Sequence, residues 1–311
     1  MIVRPRLSWL RMLFVWHGSV VPKILPRLGA LFAFACLVTW LHEQVWPIPV
    51  RLEATSLALL GVTLAIFLGF RNSTSYDRFW EARKQWGELI ISARSFSRQA
   101  FSLPDPALSL EERKRVALLL GAFALTLSSQ LREGKPRDGY GAVRDAPSAL
   151  PDFGARLEEA SYRPALVLLE LGAWLGELRR QGRVDAILCA AMDRNLDHLS
   201  RVVGACERIG STPIPFVYSV LLHRTVYAYA SLLPVALVEH IGWWTPWMTL
   251  FVAYTLIALD EVTAELEEPF GVEPNDLPLD ALARTVERST LELAGASLPP
   301  PLAPDEHYTL R

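Results

Sequence analysis

Long uncharged, apolar runs dominate two parts of the chain. Near the N-terminus, LGALFAFACLVTWL lies between Arg27 and His42, and a second run extends from Ala54 to Phe70. Near the C-terminus, similar runs extend from Thr225 to Val238 and from Ile241 to Leu259. Each approaches the roughly 20 residues that cross a bilayer, and flanking Trp and Pro residues can extend it to the interface. The pairing predicts two membrane-crossing helical hairpins, with spans at about 27–47, 52–70, 219–239 and 241–260.

Basic residues give these hairpins an orientation. Residues 1–27 contain Arg and Lys but no acid, and further basic residues follow the second run and precede the third. Because Lys and Arg concentrate on the cytoplasmic side of a membrane, both hairpins are predicted to begin and end in the cytoplasm. The N-terminal segment lacks a small-residue cleavage site and precedes further spans, so it does not resemble a signal peptide.

The region between the hairpins and the C-terminal tail have different patterns. Residues 71–215 contain apolar positions at helical spacing, broken by a Gly- and Pro-containing loop at 134–141, and predict cytoplasmic helices. The tail is Pro-rich and is predicted to be extended over about 270–311. No segment alternates as a strand does. The predicted fold class is therefore an all-α membrane protein forming one continuous unit over 1–311.

Composition favours the membrane interpretation over a buried helix of a soluble core. The chain has 311 residues, of which 51% are hydrophobic and 21% charged, and its mean hydropathy is +0.23. Soluble domains carry about 25% charged residues, and disordered chains carry far less apolar surface. The net charge of −2 gives no reason to expect a nucleic-acid partner. Three cysteines at 36, 189 and 206 form neither a disulfide framework nor a thiolate metal site.

Catalytic motifs are missing from the sequence. It contains no phosphate-binding loop, dinucleotide fingerprint, zinc-protease motif or nucleophile elbow, so we expect neither an enzyme nor a cofactor or metal site. Asp193, Asp197 and His198 lie close enough on one predicted helix to bind a metal, but ion pairs on a solvated face explain them better. A second polar group is explained equally well as a site or as an ion-paired helix start, and it consists of Tyr76, Asp77, Arg78 and Glu81.

The second predicted span carries one further pattern. Val62, Ile66 and Phe70 are spaced by four residues, so their side chains form one stripe along the helix. Such a stripe faces lipid or a neighbouring helix in most membrane proteins. A hydrophobic constriction that controls ion flow by dewetting is the alternative, and it requires several copies of the helix around an axis.

Three segments resemble the bestrophin family of membrane proteins, in its bacterial branch. They are FLGFRNSTSYDRFWEARKQWGELI at 67–90, TPIPFVYSVLLHRTVYAYA before and within the third span, and AELEEPFGVEPNDLPL at 264–279. They occur in the family's order relative to four spans. The resemblance implies a homopentameric ion channel in the bacterial inner membrane, with one axial pore, lipid and monovalent ions as partners, and cytoplasmic termini.

The resemblance also implies site residues and an ion preference. The family's pore neck corresponds to Val62, Ile66 and Phe70, and a second, cytoplasmic aperture corresponds to Ile187. Bacterial relatives are associated with monovalent cations and animal members with chloride, so we expect sodium-like cations, with a chloride channel or a non-conducting scaffold as alternatives. The acidic calcium clasp of animal members is reduced here to two carboxylates, Glu273 and Asp276, which predicts that calcium does not activate the protein.

Overall fold

A computed structural model describes residues 1–5, 7–44, 54–132, 153, 156–157 and 159–310. Its regular secondary structure is helical, with one isolated β-bridge between Ile2 and Thr309. The prediction of an all-helical chain is therefore confirmed for the described residues. The helices are α1 (Trp9–Leu13), α2 (Val21–Gln44), α3 (Ala54–Ser102), α4 (Leu110–Leu131), α5 (Arg163–Arg180), α6 (Ala186–Ser211), α7 (Phe216–Ile241), α8 (Thr245–Glu267) and α9 (Leu279–Ala294).

The chain divides into two compact units. Unit I comprises Arg6–Phe79 and Pro213–Glu268, and unit II comprises Met1–Pro5, Trp80–Thr212 and Pro269–Arg311. Among the described residues, three segments are long and apolar enough to cross a membrane: Val21–Gln44, Leu57–Ser102 and Phe216–Glu267. The last of these contains both α7 and α8, which a short 3-10 helix joins at Gly242–Trp244.

The predicted spans differ from the observed helices at their ends. The first helix begins at Val21, before the predicted residue 27, and includes Pro26 in its first turns. Helix α3 continues from the second predicted span without a break to Ser102, because no proline interrupts it before Pro104. Helix α7 begins at Phe216 and α8 ends at Glu267, each outside the predicted bounds. Residues 45–53 and the predicted loop at 134–141 lie outside the described part of the chain.

Four helices build the core of unit I. Buried apolar side chains from α2, α3, α7 and α8 form one cluster that includes Ile24, Leu68, Val226 and Ile257. Charged side chains collect at one end of this cluster, where Lys23 pairs with Glu265 at 3.0 Å and Arg27 pairs with Glu261 at 2.9 Å. An apolar core with a polar layer at its end is the arrangement expected of helices that leave a bilayer there.

The opposite end of unit I is marked by Gly242. A Cβ atom placed on this residue would lie 3.2 Å from Oε1 of Glu43, and its φ of +50° lies in the region that favours glycine. The end of α2 therefore lies beside the turn between α7 and α8. Glu43 follows Arg27 by sixteen residues, which is about 24 Å of helix and covers most of the roughly 30 Å thickness of a bilayer's hydrocarbon core.

Unit II is a helical assembly around α4. Its buried side includes Leu120, Phe123 and Leu127, and the helix begins with a capping box in which Ser109 and Glu112 bond each other's backbone N–H groups. Helix α9 packs on α4 through buried residues that include Leu291 and Ala294, which lie in one cluster with Ala117 of α4.

The prediction of an extended tail over 270–311 is wrong for α9. Buried Leu279, Ala283 and Val286 recur at helical spacing, and they provide the apolar face that packs in unit II. The helix ends at Gly295, whose φ is +77°. The following residues, from 296 to 310, contain no helix. The extended prediction applies to that last part alone.

Candidate functional site

Helix α3 has two distinct sides within unit I. Successive residues of an α-helix are rotated by about 100°, so Leu57, Leu64 and Leu68 fall on one side. All three are buried against neighbouring helices. The stripe of Val62, Ile66 and Phe70 falls on the opposite side, about 180° away. The buried face of α3 therefore turns the stripe away from the other helices of unit I.

The stripe is exposed on the single chain. Val62 is 58% exposed, Ile66 53% and Phe70 64%, and Leu59 continues the exposed face one turn earlier at 70%. Large apolar side chains aligned on one face and left uncovered mark a surface that meets lipid or another molecule. The structure thus brings the three predicted neck residues together on one surface, as the spacing requires.

The residue that follows the stripe is charged but buried. Arg71 is 4% exposed, and its guanidinium bonds two acids of α8: Nη1 donates to Asp260, and Nε donates to Glu267 at 2.8 Å. Ser75 also donates to Glu267, at 3.3 Å. On the other side of the network, Nδ1 of His223 lies 2.9 Å from Oδ2 of Asp260. The network ties the end of the stripe on α3 to α8 and α7.

Sequence reasoning did not predict this network. The positions of Arg71 and Asp260 in the sequence were a usable signal. Arg71 directly follows one uncharged run, and Asp260 directly follows another. Ionisable residues at the edges of membrane helices commonly pair with one another across the bundle. The sequence could have suggested the pair, although not which side of α3 it occupies.

The polar group at 76–81 does not converge on one site. Arg78 donates from Nε to the carbonyl oxygen of Glu267 at 2.7 Å, whereas Glu81 pairs with Arg208 of α6. Asp77 is exposed, and Tyr76 is 52% exposed. These residues lie in the middle of α3, so the predicted helix start at this point is wrong. Continuous helix propensity on both sides carries α3 through them.

Ile187, the predicted aperture residue, lies in the first turn of α6 in unit II and is 81% exposed. Asp185 caps this helix by accepting from the N–H of Leu188 at 2.8 Å. Just before the cap, Arg183 bonds Glu112 at 2.6 Å and also donates to the carbonyl oxygens of Pro106 and Ala107. This arginine fixes the segment that leads into α6.

No metal cluster forms in the described ranges of the chain. Neither Asp193, Asp197 and His198 nor any other three His, Cys, Asp or Glu side chains come together as a metal site in those ranges. Nδ1 of His198 instead lies 4.0 Å from Oε1 of Glu88. The three thiols are free, and burial beside acidic neighbours raises the pKa of Cys206 to about 12. A thiol with this pKa is protonated at neutral pH and is therefore a poor nucleophile.

The loop after α8 uses its acids to hold its own backbone. The carboxylate of Asp276 is buried and accepts from the N–H of Glu273 at 2.7 Å, while the N–H of Asp276 donates back to the carbonyl oxygen of Glu273 at 3.1 Å. Arg132 of α4 donates to the carbonyl oxygen of Leu277 at 3.0 Å. The loop is therefore a closed turn, and the carboxylate of Asp276 is already hydrogen-bonded to the backbone of this turn.

Comparison with known proteins identifies the family. The family profile described as Bacterial/Fungal Bestrophin protein matches residues 1–292. The chain belongs to this bestrophin family. The resemblance in the sequence motifs is thereby confirmed, and the bestrophin assignment covers both units of the chain.

Individual relatives cover nearly the whole of this bestrophin. The voltage-dependent anion channel-forming protein RSc3414 of Ralstonia nicotianae is 46% identical over 295 residues, 95% of each chain. The voltage-dependent anion channel-forming protein YneE of Escherichia coli K12 is 41% identical over 316 residues, 100% of each chain. A crystal structure of a bacterial bestrophin homolog from Klebsiella pneumoniae has a TM-score of 0.81 at 36% identity, covering 88% of this chain and 99% of that one.

Proposed function

We propose that this bestrophin is the subunit of a homopentameric ion channel in the bacterial inner membrane. Four spans per subunit, provided by α2, the first part of α3, α7 and α8, would surround one axial pore. The supporting observation is the exposed stripe of Val62, Ile66 and Phe70, which faces away from the subunit's own helices. A pore-lining helix must present such a face to an axis, and the relatives' names describe channel-forming proteins.

In this proposal the stripe forms the neck of the pore. Five copies of each side chain make three stacked apolar rings, separated by about 6 Å because four residues rise about 1.5 Å each. An ion in the neck loses hydration without gaining polar ligands, so ring diameter and wetting control conductance. Ile187 supplies a second, cytoplasmic aperture. The charged end of unit I, at Lys23 and Arg27, faces the cytoplasm together with both termini.

The proposed role is transport without catalysis, since the chemistry of an apolar neck requires no bound cofactor or metal. Ions and lipid are the partners, together with further copies of this chain. The helical bundle of unit I presents its charged residues at its ends, where water is available, and its apolar residues between them. This distribution fits passage through a bilayer better than substrate binding within it.

The names of the relatives provide the first candidate for the permeant ion. RSc3414 and YneE are both named as anion channel-forming proteins, which favours chloride-like anions over the sodium-like cations expected from the sequence. Cations stay the second candidate because of the charge that follows the neck on α3, where Asp77 is exposed and Arg71 is buried. Apolar rings themselves do not select the sign of an ion.

Flux through the purified, reconstituted protein tests the channel. We expect sodium chloride gradients across proteoliposomes to drive current, and Ile66→Ala to increase it several-fold because the apolar ring that Ile66 forms becomes wider. A reversal potential near the chloride equilibrium value supports an anion channel, and one near the sodium value supports the cation alternative.

Leu60→Ala is the matched control for Ile66→Ala. Leu60 is also 53% exposed, and the substitution removes the same number of carbons, but the residue lies about 120° from Ile66 around the helix. The control variant should conduct as the wild type does. Absence of current from every variant, with the oligomer shown intact by light scattering, would replace the channel by a non-conducting scaffold.

A further inference from the structure

Asp77 continues the line of the neck residues along α3. It lies eleven residues, or about three helical turns, beyond Ile66, and is therefore rotated by only about 20° from Ile66 around the helix axis. Along the helix, Asp77 lies about 10 Å beyond Phe70. The side chain is exposed. Within the described part of unit I, no hydrogen bond or ion pair links its carboxylate to another side chain.

The two neighbouring arginines occupy a different side of the helix. Arg71 and Arg78 lie about 140° and 120° from Ile66, respectively. Arg71 is buried and paired with Asp260 and Glu267, and Arg78 is half-buried and donates to the carbonyl oxygen of Glu267. Two carboxylates therefore compensate the charge of Arg71, and the guanidinium of Arg78 lies against the backbone of α8 inside unit I. Between Phe70 and Phe79, Asp77 is the one charged residue on the stripe side.

The sequence alone gives the opposite impression. Residues 71–79 contain two arginines and one aspartate, so their sum is positive and suggests attraction of anions. The fold reverses this sign on the exposed face by burying one arginine beside two carboxylates and turning the other away. The charge that an ion meets on this face is negative.

We propose that Asp77 is a selectivity-determining residue, which forms a ring of five carboxylates at the inner end of the neck and concentrates monovalent cations there. The inference rests on the proposed channel and goes beyond it, since the apolar neck does not choose the sign of the ion. Rings of Asp or Glu favour cations in other pores, and walls of low dielectric constant strengthen their field. Selectivity then arises from enrichment of cations at the mouth rather than from binding in the neck.

The ratio of sodium to chloride permeability tests the proposal in proteoliposomes under a sodium chloride gradient. Asp77→Asn keeps the shape of an exposed side chain, and it should lower this ratio on the order of threefold, with Asp77→Lys lowering it further. Ser73→Asp adds a carboxylate on the same face, about 20° on the other side of Ile66, and should raise the ratio. Glu292→Gln removes an exposed acid from α9 and is the control for net surface charge.

The outcomes separate this inference from the channel itself. Wild-type current with an unchanged permeability ratio in Asp77→Asn and Ser73→Asp would overturn the role of Asp77 and leave the channel standing. An equal change in Glu292→Gln would also overturn it, since the effect would then be one of overall charge. Absence of wild-type current from an intact oligomer would overturn both the channel and the ring. A wild-type reversal potential near the chloride value would overturn the ring and leave the channel standing, because five carboxylates that determine selectivity require a preference for cations over anions.

Discussion

Gly61 and Tyr229 approach each other so closely that a side chain at position 61 has no room. A Cβ atom on Gly61 would lie 2.5 Å from the Tyr229 hydroxyl oxygen and 3.1 Å from the ring carbon that bears it. Gly61 directly precedes Val62, the first residue of the stripe, and lies toward the buried side of α3. The separation of α3 from α7 at the level of the proposed neck is therefore set by a glycine and a tyrosine.

Gly61→Ala is expected to displace α3 from α7 and to change ion flux without abolishing assembly. The added methyl group must push the Tyr229 side chain or the α3 backbone, and overpacking of this kind costs about 1–3 kcal/mol. Tyr229→Phe removes the nearest atom, so the double variant should recover part of both the flux and the thermal stability. Flux in proteoliposomes and melting of the detergent-solubilised oligomer measure the two effects.

Additivity is the outcome that would contradict this prediction. If the effects of Gly61→Ala and Tyr229→Phe simply add in the double variant, the two residues do not interact, because coupled neighbours give non-additive energies. Gly69→Ala is the matched control on the same helix, since a Cβ atom there meets no atom within 4 Å. It should leave melting and flux close to the wild type.

Loss of the Arg71 guanidinium is expected to be strongly destabilising. Arg71→Ala leaves Asp260 and Glu267 without their shared cation, and removing one partner of a buried ion pair costs about 3–5 kcal/mol. Thermal unfolding of the purified oligomer measures the loss. Arg27→Ala breaks a pair whose arginine is 44% exposed, and an exposed pair of this kind contributes about 0.2–1 kcal/mol. Similar losses in the two variants would show that burial does not strengthen the Arg71 network.

The stripe illustrates what the sequence can and cannot predict at the candidate site. The spacing of Val62, Ile66 and Phe70 places them on one face, whatever surrounds the helix. Which side of the helix faces its neighbours could not be predicted, because nearly every residue in this run is apolar and the two sides look alike. Burial of Leu64 and Leu68 decides it, and only the packed helices show that burial.

The same difference holds for charged residues and for helix α9: the sequence shows local patterns but not the contacts between helices. Arg71 and Arg78 are among the basic residues that follow the second apolar run and predict its orientation, but the sequence does not show their contacts with α8. The helix α9 was missed because the prolines around it suggested an extended tail. The apolar residues Leu279, Ala283 and Val286 recur at helical spacing, and this local pattern could have predicted the helix.

The contact between Arg183 and Glu112 is expected to make unit II sensitive to acid. Hydrogen bonds from Arg183 and from the Ser109 cap lower the pKa of Glu112 from 4.5 to about 2. A depressed folded-state pKa contributes stability above pH 4.5 that is lost as the pH falls toward 2. Because Glu112 is 37% exposed, solvent screening limits this contribution to about 0.2–1 kcal/mol.

Melting of the wild type and of Arg183→Gln at pH 7 and pH 3 measures this contribution. The wild type should lose more stability than the variant on acidification, because the variant has already lost the ionic partner of Glu112. Hydrogen exchange in residues 103–109 should increase in the variant at pH 7, since Arg183 also bonds the carbonyl oxygens of Pro106 and Ala107. An identical response of both proteins to pH would show that the pair does not stabilise the fold.

Calcium removal is expected to leave the ion flux unchanged. The loop between α8 and α9 offers Glu273 and Asp276 where a calcium clasp would need six to eight oxygen ligands. Asp276 is buried, and its carboxylate accepts from the N–H of Glu273. Flux measured in millimolar EGTA and in millimolar calcium should agree, and a current that disappears on chelation would contradict this prediction.

A variant at Asp276 separates the structural role of this carboxylate from calcium binding. Asp276→Ala removes the acceptor that closes the turn and leaves a backbone N–H group without its partner, which costs about 1–3 kcal/mol when the group is buried. The variant should therefore melt at a lower temperature, by the same amount with calcium and with EGTA. A calcium-dependent difference in melting that the wild type shows and Asp276→Ala lacks would instead assign the carboxylate to a calcium site, because a ligand that binds only the folded state stabilises it by mass action.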